Sequence, residues 1–192
     1  MLELNSYVFE YLSRFRDIWG IWFMADTPIF FLPVFLGAMW MYYTFKKSSD
    51  AKRWELMHIF YACLLWIIFS YIIKQFINIE RPEIYLSATQ NLIMSTIPAK
   101  SFPSDHATVS FAFTIALFFT SYKKIGYFFL PFVIIMNICR IIVWVHWPLD
   151  ILAWSILWTL SAWIFFSFLT QSKLVKKLDL FIISIMKMLK LY

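Results

Sequence analysis

Five apolar runs, each near the ~20 residues that a bilayer requires of a helix, constrain this chain more than anything else in it. They lie at about 28–45, 56–77, 104–122, 125–145 and 149–170. Of the 192 residues 62% are hydrophobic, 15% are charged and three are glycine, too little polar side chain to cover a soluble domain. The many Phe and Trp side chains suit a bilayer and its borders. Residues 1–24 mix Glu3, Glu10, Arg14, Arg16 and Asp17 with Leu2, Val8, Phe9, Leu12, Phe15 and Trp19 at roughly helical spacing. That pattern predicts an amphipathic helix in the membrane interface and no cleavable signal peptide. Residues 173–192 set five lysines among Leu, Ile, Phe and Met and read as a basic interfacial tail. The expectation is an all-α, polytopic transmembrane helical bundle: one membrane-embedded domain over 1–192, with about five spans plus the interfacial N-terminal helix.

A net charge of +6 would suit a nucleic-acid binder, but its placement does not. Lys46, Lys47, Lys52, Arg53, Lys123, Lys124 and the five tail lysines make eleven of the seventeen basic residues. All fall in gaps that must share one side of the bundle. The excess of basic residues on cytoplasmic loops puts that side, and the C-terminus, in the cytoplasm of a multi-pass cell-membrane protein. The 78–103 connection and the 140–150 segment then face outward. Cys63 and Cys139 lie in apolar runs, with the spacing of neither a zinc site nor a disulfide framework, and read as packing residues.

Ionisable residues at the ends of apolar spans are costly and therefore functional candidates. Three groups fall on the predicted outer side. Lys74 and Arg81 are separated by about two helical turns, before Pro82 ends the helix. Alone they read as a snorkelling side chain and a headgroup contact. Ser104 is a natural N-cap ahead of Asp105 and His106. Unpaired N–H groups there favour an anion, and an imidazole can donate a proton near neutral pH. Alone, this is equally an ordinary cap followed by an interfacial histidine. In the third group Arg140 offers a fork for phosphate oxygens, while Pro148 opens a helix between His146 and Asp150. A carboxylate so close can orient one imidazole nitrogen and leave the other free to attack phosphorus. Phosphoryl transfer needs neutralising charge, a nucleophile and an acid, and each role has a candidate. No histidine or carboxylate cluster has metal-site spacing, so a metal-independent route without a cofactor is expected.

At these residues the sequence resembles the type-2 phosphatidic acid phosphatase superfamily. Its K-x6-RP motif stands here as Lys74, Arg81 and Pro82; its P-S-G-H motif as Pro103, Ser104, Asp105 and His106; its S-R-x5-H-x3-D motif as Cys139, Arg140, His146 and Asp150. The motif core covers 74–150. The resemblance implies that His146, oriented by Asp150, attacks phosphorus to give a phosphohistidine while His106 protonates the leaving oxygen. Lys74, Arg81, Ser104, Asp105 (through its backbone N–H) and Arg140 would hold the phosphate. Asp105 replaces the usual glycine, and its carboxylate is expected to turn away or pair with a cation. Cys139 replaces a serine. The family core usually has six spans where five are counted here.

The string Ser101-Phe102-Pro103-Ser104-Asp105-His106-Ala107 is similar to the bacitracin-resistance branch of bacterial undecaprenyl-diphosphatases, which implies undecaprenyl diphosphate as substrate. Phosphatidylglycerol phosphate, phosphatidic acid or lipid A are the alternatives; a lipid-phosphate binder or transporter is the non-enzymatic one. The expected partners are thus a lipid phosphate and membrane lipids, not nucleic acid. His58 reads as a packed or interfacial histidine, Asp26 as a residue at the entrance of a helix, and Glu80 and Glu83 as facing water. Lys100, on a loop that would cover the site, is an additional phosphate contact by hypothesis.

Overall fold

The structure, a computed structural model, describes residues 2–46, 50–77, 79, 82 and 101–189. All regular elements among them are helical: α1 (Leu2–Ser13), α2 (Ile21–Asp26), a 3-10 turn (Thr27–Phe30), α3 (Phe31–Phe45), α4 (Asp50–Phe76), α5 (Asp105–Phe118), α6 (Lys123–Ile142), α7 (Pro148–Ile164) continued by a π-turn (Phe165–Leu169), and α8 (Lys173–Met188). Four stretches are long and apolar enough to cross a membrane: Ile21–Phe45, Asp50–Phe76, Lys123–Ile142 and Pro148–Leu169. The polytopic helical bundle expected from the apolar runs is what the chain forms.

The first span begins at Ile21 rather than 28. Pro28 does not open it: a proline removes one N–H from the ladder, and the helix tightens through the 3-10 turn there and continues. Gly20, at φ +89°, ends the segment after α1 in a left-handed conformation that suits glycine. Six residues of the span therefore lie ahead of Thr27 and Pro28, and they carry Asp26 into the protein.

The third apolar run gives a helix of 14 residues, Asp105–Phe118, ending four residues before its expected border. At 1.5 Å per residue it is about 21 Å long, less than the ~30 Å hydrocarbon core. It need not face lipid along its length, because it packs against α4, α6 and α7. Its Ala107, Thr108, Ala112, Phe113, Thr114, Ala116 and Leu117 are fully buried. Behind it, Trp154 and Trp158 stack at 4.9 Å, Trp66 packs on Trp158 at 4.9 Å, and Phe102 packs on Trp154 at 5.0 Å.

Polar contacts sort the bundle into two ends. At one, Lys52 Nζ donates to Ser121 Oγ, Ser121 donates to Glu55, and Tyr122 Oη donates to the Lys52 carbonyl at 3.1 Å. There too His58 Nε2 lies 3.0 Å from Oδ2 of the buried Asp179, fastening α8 to α4. The expected basic tail is thus a helix, docked through Val175, Asp179 and Ile183. The other end gathers the C-terminal part of α4, the start of α5, the end of α6, the start of α7, and α2.

Candidate active site

His146 is placed by the way α6 stops. Val145 N–H donates to the Arg140 carbonyl at 3.1 Å and Trp144 N–H to the Ile141 carbonyl at 3.0 Å, with Trp144 at φ +66°. This is the paired bonding of a Schellman stop, with tryptophan at the position glycine usually takes. The left-handed conformation costs a bulky residue about 1–3 kcal/mol, offset by packing of Trp144 under the Arg16 guanidinium, 4.2 Å from the ring centroid, and against Phe9. Two residues later the His146 ring is 2% exposed. Pro148 then opens α7, and Asp150 accepts from the Trp147 N–H at 3.0 Å. Asp150 is therefore both a helix cap and a site carboxylate.

His146 Nδ1 lies 4.0 Å from Asp150 Oδ2, beyond hydrogen bonding for that pair. Ser101 closes the gap: its hydroxyl donates to Asp150 Oδ2, and its oxygen is 3.4 Å from His146 Nδ1. Ser101 is fixed by its own N–H, which donates to the Ile79 carbonyl at 2.6 Å, and by neighbouring Phe102 on the Trp154 stack. On the other side of the ring, Arg140 Nη2 lies 3.4 Å from His146 Nε2. Arginine has donors only, so the nitrogen facing it carries the lone pair and the ring proton sits on Nδ1, toward Ser101. Nε2, beside the Arg140 cation, is then the ring nitrogen with its lone pair available.

Ser104 caps α5, accepting from the Ala107 N–H at 3.4 Å in an extended backbone. His106 follows in the first turn, 5% exposed. Asp105 pairs with a cation: Oδ2 accepts from Lys74 Nζ and Oδ1 from the Ser70 hydroxyl at 3.0 Å. The structure thus brings His146, Arg140, Asp150, Ser104 and His106 to one end of the bundle, with Lys74 engaged by Asp105. Arg81, Lys100, Glu80 and Glu83 lie outside the described residues.

Two site residues escape a reading of the sequence. Ser101 could have been found only as a hydroxyl near the cap. Asp26, read as a residue at the entrance of a helix, is instead the last residue of α2 and 2% exposed. Its Oδ1 accepts from Arg140 Nη1 and is 3.6 Å from His106 Nε2. Among the described residues no group of three or more His, Cys, Asp or Glu is placed to hold a metal ion.

A lateral cavity of about 710 Å³ opens from this site. Asp105 and His106 line one end, Gly37 and Leu64 lie on its walls, and Ile182 and Met186 of α8 line the other. Its surface is almost wholly apolar, suited to a hydrocarbon chain.

Residues 55–173 match the PAP2 superfamily. The chain belongs to that superfamily. It is a membrane-embedded phosphatase of the PAP2 type, and α4 through the π-turn form the matched region. The chain is 30% identical over 180 residues to the bacitracin transport permease protein BcrC of Bacillus licheniformis, covering 90% of this chain and 83% of that protein. It is 28% identical over 149 residues to the undecaprenyl-diphosphatase BcrC of Bacillus subtilis strain 168, covering 76% and 72%. No solved structure matches. Within the PAP2 frame Asp26 stands apart, since α2 precedes the matched region.

Proposed function

We propose that this chain hydrolyses the terminal phosphate of undecaprenyl diphosphate through a phosphohistidine on His146. The observation that carries the mechanism is the orientation of His146: Nδ1 faces the Ser101–Asp150 pair and Nε2 faces Arg140. In the first step the Nε2 lone pair forms a bond to the terminal phosphorus. The bond from that phosphorus to the bridging oxygen breaks, undecaprenyl phosphate leaves, and His106 supplies a proton to the departing oxygen. In the second step water attacks the phosphohistidine, its proton passes to His106, the P–N bond breaks, and inorganic phosphate is released. Arg140, the Ser104 cap and the N-terminal end of α5 offset the charge on the phosphoryl oxygens. Lys74 and Arg81 complete that set. The neutralising charge is supplied by protein cations, so no metal or cofactor is required.

The cavity supports the lipid part of this reading. Its lining extends from Asp105 and His106 along α4 to Leu56 and Met57 and to Ile182 and Met186 of α8. A tail of many isoprene units would fill that depth. The B. subtilis relative is named a diphosphatase of this lipid and the B. licheniformis relative a transport protein. The Ser101–Asp150–His146 relay favours hydrolysis here, since a carrier needs cations but not an oriented nucleophile. Lys52, Arg53, Lys123 and Lys124, at the start of α4 and of α6 opposite the site, support an outward-facing catalytic end and a cytoplasmic C-terminus.

Comparing phosphate release from undecaprenyl diphosphate, phosphatidylglycerol phosphate, phosphatidic acid and lipid A tests the substrate. Preference for the isoprenoid diphosphate is expected; preference for a glycerophospholipid would remove the assignment.

A further inference from the structure

Asp26 is a carboxylate buried where a membrane protein can least tolerate one. Desolvating an ion costs several kcal/mol unless partners compensate it. Its partners are the Arg140 guanidinium and the His106 imidazole. Oδ1 accepts from Arg140 Nη1 and stands 3.6 Å from His106 Nε2. Arg140 Nη1 also donates to the Ala25 carbonyl at 3.1 Å, so α2 grips one amino group of Arg140 while the other faces His146. Asp26 Oδ2 is buried with no protein hydrogen-bond partner among the described residues. Arg140 alone would suffice to neutralise one carboxylate, so structural charge balance does not explain its placement against His106.

We propose that Asp26 is a positioning residue for the acid step. Its carboxylate holds the His106 imidazolium toward the leaving oxygen and keeps it in register with the Arg140 fork. The site then has two histidine–carboxylate pairs: Asp150 reaches His146 through Ser101, and Asp26 faces His106 Nε2 across 3.6 Å, an ion-pair distance longer than a hydrogen bond. The other charged groups around His106 are Arg140 of α6, His146 before α7, and the mutually paired Lys74 of α4 and Asp105. Asp105 is engaged by Lys74 and Asp150 by Ser101, which leaves Asp26, itself on Arg140 Nη1, as the carboxylate that faces His106 among the described residues. The inference rests on the phosphohistidine reading, because it assigns Asp26 a part in that reaction's proton transfer.

Leaving-group dependence distinguishes this role from a structural one. An alkyl phosphate must leave as an alcohol and needs the proton; p-nitrophenyl phosphate leaves as a stable phenolate and does not. In full-length, detergent-purified protein, Asp26→Asn and Asp26→Ser are expected to lower kcat on phosphatidic acid by roughly 10²-fold, the scale of general-acid catalysis. The loss on p-nitrophenyl phosphate should be at least about tenfold smaller. Asp26→Glu, which keeps the charge, should restore the ratio between substrates, and Asp26→Asn added to His106→Ala should cost little more than His106→Ala alone. Equal losses on both substrates, or no loss, would overturn the proposal. So would two neutral variants that both fail to fold, since Asp26 would then serve the fold. Wild type releasing phosphate from none of phosphatidic acid, p-nitrophenyl phosphate and undecaprenyl diphosphate sinks the phosphatase mechanism itself, and this proposal with it.

Discussion

The hydroxyl of Ser101 donates to Oδ2 of Asp150, and this bond, rather than a direct contact, links the carboxylate to His146. A hydrogen bond to a charged group contributes roughly 1.5–3 kcal/mol, and about 1.4 kcal/mol is tenfold in rate. Ser101→Ala should therefore lower kcat about ten- to a hundredfold while leaving KM nearly unchanged, because Ser101 touches the nucleophile and not the phosphate. Steady-state kinetics on any hydrolysed lipid phosphate checks this. A raised KM with full kcat would place Ser101 in binding instead.

Lys74 is held by Asp105 on the first turn of α5. A phosphate must compete with that carboxylate for the ammonium. Asp105→Asn keeps the shape and removes the competition, so inorganic phosphate should inhibit several-fold more tightly, with a lower KM for the lipid substrate and slower product release. Product-inhibition constants for the two proteins decide it. Weaker phosphate inhibition in Asp105→Asn would show that Asp105 supports the anion site.

How much of this site could be read from the chain depends on the range of the contact. His146, Pro148 and Asp150 share one helix start, and the Ser104 cap is three residues from its N–H partner; both were legible from spacing. The Lys74–Asp105 pair joins two helices; the extra charge beside an anion site left a cation partner as one of two expectations for Asp105 and did not say which cation. Asp26 was not legible. Its neighbours Thr27 and Pro28 resemble a helix start, and only packing of α2 on α6 shows that the helix begins at Ile21 and delivers Asp26 to Arg140. Trp144 was equally hidden, because a left-handed stop normally announces itself with glycine. The short α5 was overextended since its last apolar residues continue into the turn before Lys123.

Gly37 lines the lateral cavity, and a Cβ built on it meets nothing within 4 Å. Gly37→Trp should thus fill the channel without disturbing the backbone. Activity on a long isoprenoid diphosphate is expected to fall at least tenfold, about 1.4 kcal/mol, while a short-chain prenyl diphosphate is hydrolysed nearly as before. A chain-length series on both proteins reads this directly. Equal effects on short and long chains would separate the cavity from tail binding.

The His58–Asp179 contact lies at the far end from the chemistry, with Asp179 1% exposed. Removing His58 leaves the buried Asp179 carboxylate without this hydrogen-bond partner, which costs roughly 1–3 kcal/mol. His58→Ala should loosen α8, seen as faster amide exchange over 173–188 and a lower Tm, whereas replacing both residues by leucine should recover much of the loss. Since Ile182 and Met186 of α8 line the cavity, long-chain substrates should suffer more than short ones. Unchanged exchange in His58→Ala would mean that apolar packing alone holds α8.

Central to this account is the nucleophile. The most direct measurement is phosphate release from undecaprenyl diphosphate by detergent-purified protein, with a chelator present, comparing wild type with His146→Ala. The account predicts chelator-resistant release in the wild type and none in the variant. Release that survives in a folded His146→Ala protein would contradict it, because among the described residues no other nitrogen lies between the Ser101–Asp150 relay and Arg140.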